Sequence, residues 1–455
     1  MKANGALSVG SFIQDNPWND LLPASLLAVS PFGQVNARDT KYDNRMFGGQ
    51  FDWNIADNVT LTYIPSYLKF NVDVGYWLSG LPSNKNDHFE QTTHELRASG
   101  KHDWGSWLAG LYGYHMTSNG EFYVASFDNT GFPVSLIDRN RIKGLAGFGQ
   151  LTYNVSDSLR LTAGGRYSVD TRTGNGRFFN GAGLSPFSSD ATYKHFDFKV
   201  GLDYDIAPGT MLYATLQTGY QPGTYNTFAT TPTVSNRVGA AKLTAYTAGL
   251  KVRFLDNKVT WNNEVYYYDY SGLFASAFNT VLNTTQTFNA KKVEIYGIQS
   301  DLIVNASDND RFNVTLGYLH ARNKDFTLPD GTANFDGLQL QYAPDWTVSA
   351  GYHHDFQMAK GYVRAQVSTR YESSFFADFS HTPGGKQGSY TKTDLSLTYY
   401  SEDGKWSLGG WIKNIENEAV IAATAGGSNF PANLQGATSF LEAPRTFGGR
   451  ATLNF

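Results

Sequence analysis

Apolar and polar residues alternate one by one in segment after segment of this chain, and that period of two constrains its fold more than any other feature. Phe196, Phe198, Val200, Leu202, Tyr204 and Ile206 alternate with Asp197, Lys199, Gly201, Asp203 and Asp205. Leu159, Leu161, Ala163, Gly165, Tyr167 and Val169 alternate with Arg160, Thr162, Gly164, Arg166, Ser168 and Asp170, and Val363, Ala365, Val367 and Thr369 with Arg364, Gln366, Ser368 and Arg370. In the last ten residues Phe447, Gly449, Ala451, Leu453 and Phe455 share one side of an extended strand, and Thr446, Gly448, Arg450, Thr452 and Asn454 the other. Successive side chains of a strand point to opposite faces, so each segment has a greasy flank and a wet flank. About 17 segments follow the pattern, most about 10–15 residues long, against the roughly 9–11 that a tilted strand needs to cross a bilayer. The spacing predicts an all-β chain, an antiparallel transmembrane β-barrel with lipid on one flank and water on the other.

The connections support a membrane barrel over a soluble β-protein. Short polar turns fall near Ala56-Asp57-Asn58, Lys101-His102-Asp103, Ser156-Asp157, Ala207-Pro208-Gly209, Leu255-Asp256-Asn257, Ser307-Asp308-Asn309 and Glu402-Asp403-Gly404. Between them lie long connections at about 69–90, 118–140, 172–191, 221–241, 272–289, 324–341, 376–388 and 417–444. Tight periplasmic turns alternating with long extracellular loops are a property of outer-membrane barrels, whereas a propeller or sandwich has no reason to keep long loops on one side. The mean hydropathy of −0.37 agrees, because alternating strands average out as hydrophilic. There is no apolar run of about 18 residues for a helical span. Cys is absent, which excludes disulfides and thiolate chemistry. A net charge of −4 gives no support to nucleic-acid binding.

Alternation also fixes direction. If the final strand ends in the periplasm, counting back makes the first clear strand, about Arg45–Trp53, run inward from outside. Residues 1–44 then read as an extracellular loop or the remnant of a preceding strand, and 45–455 as the barrel, incomplete at its N-terminus. Single-chain bacterial barrels carry an even strand number. A weak alternation at Leu7, Val9, Ser11 and Ile13 offers one further strand. Met1–Gly10, with one Lys and no apolar core, does not read as a signal peptide.

Several segments resemble the barrel half of TonB-dependent outer-membrane receptors. They are Asn58-Val-Thr-Leu-Thr-Tyr-Ile-Pro-Ser-Tyr67, Leu212-Tyr-Ala-Thr-Leu-Gln-Thr-Gly-Tyr-Gln-Pro-Gly-Thr-Tyr-Asn226, Thr244–Thr260 running on to Tyr266-Tyr-Tyr-Asp-Tyr270, Glu294-Ile-Tyr-Gly-Ile-Gln299, Ala343–Tyr352, Lys413-Asn-Ile-Glu-Asn-Glu418 and Ala443-Pro-Arg-Thr-Phe447. Their order is the family's. The resemblance implies about 17–18 of an expected 22 strands, and active uptake of a scarce solute such as an iron–siderophore-like complex, cobalamin or a carbohydrate. It further implies location in the outer membrane of a Gram-negative bacterium, and TonB as partner through an N-terminal segment. Nothing before Arg45 resembles that segment or the family's plug domain. The terminal Phe455 resembles the aromatic C-terminal signal by which such barrels are recognised by the assembly machinery, and lipid is the expected surrounding.

Candidate contacts are named on chemistry. The inward flank carries Arg160, Arg166, Asp197, Lys199, Asp203, Lys251, Arg253, Arg364 and Arg370. Arginine suits carboxylate or phosphate groups of a solute, of which Arg364 and Arg370 are the named candidates, but inward charges equally pair with one another or a plug. Aromatics in the long connections (Phe122, Tyr123, Phe178, Phe179, Tyr225, Phe375, Phe376) offer faces for stacking, or form the interfacial girdle. Tyr266-Tyr267-Tyr268 and Tyr399-Tyr400 read as girdle and lining.

No catalytic, cofactor or metal residues are assigned. His353 and His354 are strand neighbours on opposite faces and cannot share a metal. Asp87-His88 and Asp378 with His381 are weak hydrolase pairs. The glycines of Gly144-Leu-Ala-Gly147-Phe-Gly149 relieve crowding or permit a bulge rather than bind phosphate. The competing function is a passive porin of about 18 strands, which needs a first strand hidden in 1–44.

Overall fold

The structure is a computed structural model that describes residues 41–454 apart from 79–80, 125–133, 180–183, 227–236, 280–283, 328–333, 380, 382 and 426–437. The weak alternation at Leu7–Ile13 therefore lies outside the described residues. One antiparallel sheet dominates, with 18 strand segments. The first two, Lys41–Gly48 and Phe51–Ala56, lie end to end against the same neighbour, Val59–Leu78. Among the described residues the sheet thus has 17 traverses, each hydrogen-bonded to the next along the chain. After Val59–Leu78 come Leu81–His102, Gly105–Val124, Val134–Asn154, Leu159–Phe179, Leu184–Ala207, Thr210–Gln221, Ala241–Phe254 and Val259–Ser271. Lys292–Asn305, Asp310–Asp325, Trp346–Met358, Gly361–Glu372, Tyr390–Ser401, Trp406–Lys413 and Thr446–Leu453 complete it. The first strand begins at Lys41, ahead of the boundary expected at Arg45. Among the described residues, the first and last strands each pair on one side only, and an odd count makes them run in the same direction.

Turn chemistry explains the short connections. Ser156 Oγ accepts the backbone N–H groups of Ser158 and Leu159, and Ser307 Oγ does the same for Asn309 and Asp310. Asp403 accepts from the Ser401 hydroxyl and the Lys405 N–H, and these bonds hold its carboxyl below the usual carboxylate range. Gly209 sits at φ +78° with Arg253 O only 2.7 Å from where a Cβ would stand, so this turn requires glycine. A further short turn, Ala359-Lys360, joins Trp346–Met358 to Gly361–Glu372. It carries no Gly, Pro, Asn or Asp, which is why the sequence pattern passed over it.

The long connections differ from expectation in a specific way. The stretches 69–90, 118–140 and 172–191 are mainly strand, because the six strands from Val59 to Ala207 run for 20 to 24 residues. At about 3.3 Å per residue they span about 65–80 Å, more than twice the hydrocarbon thickness of about 30 Å. Beyond the bilayer both flanks meet water, so the apolar alternation fades while the backbone ladder continues. Later connections fold back into small ladders instead, such as Leu273–Asn279 with Thr284–Ala290 and Ile421–Ala425 with Thr438–Leu441.

The greasy flank is on the outside. Leu145, Phe196, Val200, Leu397, Leu408 and Phe447 are among the most exposed large apolar side chains, with Phe447 at 82%. Outward aromatics form two bands. Trp104, Tyr153, Tyr204, Trp261 and Trp406 lie towards the short turns, and Tyr167, Tyr246, Tyr267, Tyr296, Trp346 and Tyr371 towards the long hairpins. Two such bands framing an apolar zone are the girdles of a transmembrane barrel.

Candidate functional site on the inner face

On the inner face, tyrosines reach across glycines to carboxylates. Tyr114, Gly144 and Asp170 lie in one row on three successive strands, and Tyr114 donates to Asp170 at 2.8 Å. A Cβ on Gly144 would stand 2.0 Å from the Tyr114 ring and 2.7 Å from Asp170 Oδ1. Tyr213, Gly249 and Glu264 repeat the arrangement, with a 2.6 Å bond passing over Gly249. Gly144 thus relieves crowding, and the ladder through Gly144–Gly149 runs without a register shift. These triads join alternate strands, which backbone bonding does not do.

Most of the inward ionisable groups are held by the wall. Arg160 makes a two-pronged bond to Asp205 at 2.6 and 3.0 Å. Arg166 lies over the Tyr112 and Phe148 rings, and Lys251 over Tyr213. Asp197 takes a contact from His195 and a hydrogen bond from Thr218. Lys199, Asp203 and Arg253 fall on the same flank by alternation. Arg364 pairs with the buried Asp355 at 2.7 and 2.8 Å and lies beside the stacked Tyr362 and Tyr400 rings, 5.7 and 5.9 Å from their centroids. Tyr266 and Tyr268 face inward while Tyr267 faces out against Tyr246; Tyr400 faces inward and Tyr399 lies against the outward Trp406.

Arg370 is placed differently. It lies near the long-hairpin end, 60% exposed, paired with the buried Glu372, which also accepts the Tyr390 hydroxyl at 2.7 Å. These three side chains, with Tyr266, Tyr342 and Glu442, line a cavity of about 580 Å³. Lys392 and Glu442 form a 2.5 Å ion pair at its margin. Glu372, Tyr390, Tyr342 and Glu442 were not singled out from the sequence. The Arg-x-Glu spacing at 370 and 372, which sets both on one flank, was the available signal.

The candidate aromatics separate by environment. Phe122 and Tyr123 stand on opposite faces of Gly105–Val124, the former half-buried and the latter exposed. Phe178 is buried on the inner flank, and Phe375 is buried with Ala377, Tyr390, Val420 and Ile421. Phe376 stacks on His381 at 3.8 Å. Tyr225 folds inward over Gly174 to donate to Asp138 at 3.1 Å, and burial raises the pKa of both groups. The side chain of Phe179 and the whole of Phe455 lie outside the described residues.

The chain after Tyr225 is clipped to a neighbouring hairpin. Asn226 donates to Thr287 O at 3.0 Å and accepts the Thr287 N–H at 2.5 Å, while Asn289 bonds Gly239 and Gly272. Asn226→Ala is expected to cost about 1 kcal/mol locally by leaving the half-buried Thr287 backbone groups without these partners. The readout is faster amide exchange across 284–290; unchanged exchange there would show that the clip carries no weight.

Among the described residues, Asp87 and His88 stand on opposite flanks and do not pair; Asp87 pairs with Lys85, and His88 bonds Asn71. His381 bonds the Gln339 carbonyl. His354 bonds Asp310 on the outer flank, and His353 faces inward.

A seventeen-traverse wall with an apolar exterior, two aromatic girdles and a polar, tyrosine-rich inner face defines a large outer-membrane-type barrel. Residues 3–415 match the family model described as TonB dependent receptor-like, beta-barrel, and the chain belongs to that family. Among solved structures it is similar to the ferric yersiniabactin uptake receptor FyuA from Yersinia pestis, at 15% identity and a TM-score of 0.78, covering 91% of this chain and 61% of that one. It is also similar to the siderophore receptor PiuA from Acinetobacter baumannii (14%, TM-score 0.73, 90% and 64%) and to the copper transporter OprC (15%, TM-score 0.69, 91% and 66%). This chain thus spans about three-fifths to two-thirds of the length of these structures. Proteins of this family are transporters rather than enzymes, and they reside in the outer membrane of Gram-negative bacteria.

Proposed function

We propose that the chain forms the barrel wall and outer binding surface of an outer-membrane receptor for active uptake of a scarce solute, an iron–siderophore-like complex, cobalamin or a carbohydrate. Energy would come from TonB through a segment N-terminal to the barrel, and the C-terminal strand with Phe455 would engage the assembly machinery. The observation that carries this reading is the folded-in mouth. Connections after Gln221 pack into small cores on the inner side, around Phe326 and around Phe375, and leave a lined cavity with Arg370 presented in it. A passive porin keeps a continuous aqueous channel, which such packing opposes.

Of the candidate contacts, Arg370 and Tyr123 are the exposed ones and Phe122 is half-buried, while Phe178, Tyr225, Phe375, Phe376 and Arg364 act by shaping the mouth and wall. Purified chain in a planar bilayer is expected to give no steady open-channel conductance; sustained conductance that scales with salt would favour the porin. In a binding screen against ferric siderophores, cobalamin and oligosaccharides, Arg370→Lys is expected to weaken the ligand that binds by about tenfold or more, through loss of two-pronged hydrogen bonding. Unchanged affinity would remove Arg370 from the site.

A further inference from the structure

Among the described residues, the outer flank carries a column of cations without an ion-pair partner. In Val134–Asn154 the outward residues from Leu145 to Tyr153 continue into Val155 and belong to the apolar belt, with Leu145 63% exposed. The next outward residues beyond Leu145 are Lys143, Arg141 and Arg139, all exposed and about 6.6 Å apart along the strand. Beside Lys143, on the preceding strand, is the exposed His115; two strands away, next above the exposed Phe196, is the exposed Lys194. Basic residues therefore stand at or just above the upper edge of the belt on three strands of this sector: Lys143 and His115 share a row, and Lys194 lies in the row of Leu145. Among the described residues none of Arg139, Arg141, Lys143 and Lys194 makes an ion pair. Of the acids on this flank, Asp190 lies two strands from Arg141, and Glu121, level with Ile137, is diagonal to Arg139 without forming an ion pair with it.

Another sector at the same height is built differently. There Lys292 faces Asp269 at 3.9 Å, Lys324 pairs with Glu294 at 3.0 Å, and Arg322 pairs with Asp345 at 2.8 Å. Cations stacked at every second residue repel one another, so the unpaired column calls for an external counter-charge. Its position immediately above hydrocarbon-facing residues puts it at the depth of lipid headgroups.

We propose that Arg139, Arg141 and Lys143, flanked by Lys194 and His115, form a docking surface for the phosphorylated headgroups of lipid in the surrounding outer leaflet. The inference rests on the outer-membrane orientation proposed above, not on which solute is carried. Arginine recognises phosphate with two parallel hydrogen bonds, and exposed apolar groups below the column accept the acyl chains.

The test titrates the purified full chain in detergent with bisphosphorylated lipid A, with phosphatidylcholine and with inorganic phosphate. The triple variant R139T/R141T/K143T is expected to bind lipid A roughly a hundredfold more weakly, from three headgroup-level cations. K292T/K324T, in the paired sector, is expected to stay within about twofold. Equal affinity of the triple variant and the parent overturns the proposal. So does displacement of lipid A by equimolar inorganic phosphate, which would mark a site for soluble anions. Arg141→Glu alone, expected to weaken binding by about tenfold or more, serves if the triple variant does not fold. Solute binding by the triple variant is a separate readout: its retention alongside lost lipid binding supports this inference, and failure of every solute leaves the lipid result standing.

Discussion

Gly144→Val is expected to cost about 2–5 kcal/mol, from overpacking and from a buried carboxylate left without its donor. The new side chain would occupy the path by which Tyr114 reaches Asp170. Tyr114 can swing aside, but Asp170 is only 6% exposed and would then lose its hydroxyl donor. Gly249→Val should behave alike, since Tyr213 crosses Gly249 to reach Glu264. Equilibrium unfolding in urea with lipid or detergent present measures the loss. A double-mutant cycle with Tyr114→Ala identifies its cause, because removing the ring beforehand should cut the cost of Gly144→Val by more than half. Strict additivity would show that the glycine serves some other purpose.

Arg364→Ala is expected to destabilise by about 3–5 kcal/mol, as removal of one member of a buried pair strands the other charge. Asp355 is 9% exposed and receives both of its short bonds from this guanidinium. Arg364→Lys should recover part of the loss, since it keeps the charge but not the fork or the planar contact with the stacked Tyr362 and Tyr400 rings. Asp355→Asn in the Arg364→Ala background should recover part as well, by removing the stranded charge. Solute affinity should not follow these losses. If Arg364→Ala left stability intact and abolished binding, the residue would return to the site as a ligand contact.

The two arginines named from sequence illustrate what could be read and what could not. Both lie on the inward flank of Gly361–Glu372, as alternation required. The Arg-x-Glu spacing marks Arg370 and its partner Glu372 locally, but neither the commitment of Arg364 to Asp355 on the neighbouring strand nor the cavity that Arg370 faces is a local property. Likewise Tyr225 read as an exposed loop aromatic, while its hydroxyl bonds Asp138, 87 residues away in sequence. The height of the N-terminal hairpins was also hidden. Strands that leave the bilayer keep their backbone pairing but lose the one-sided apolar pattern that made them visible.

The sequence alone determined which flank of each ribbon is apolar and turned outward, where most of the short turns fall, and the family, because side-chain alternation and turn chemistry are local properties of a strand. Only the tertiary structure decided which tyrosine crosses which glycine, which charges cancel, and which cations find no ion-pair partner among the described residues. Those outcomes depend on the register between strands distant in sequence, and cross-strand neighbours are set by the packing of the whole wall rather than by any one segment.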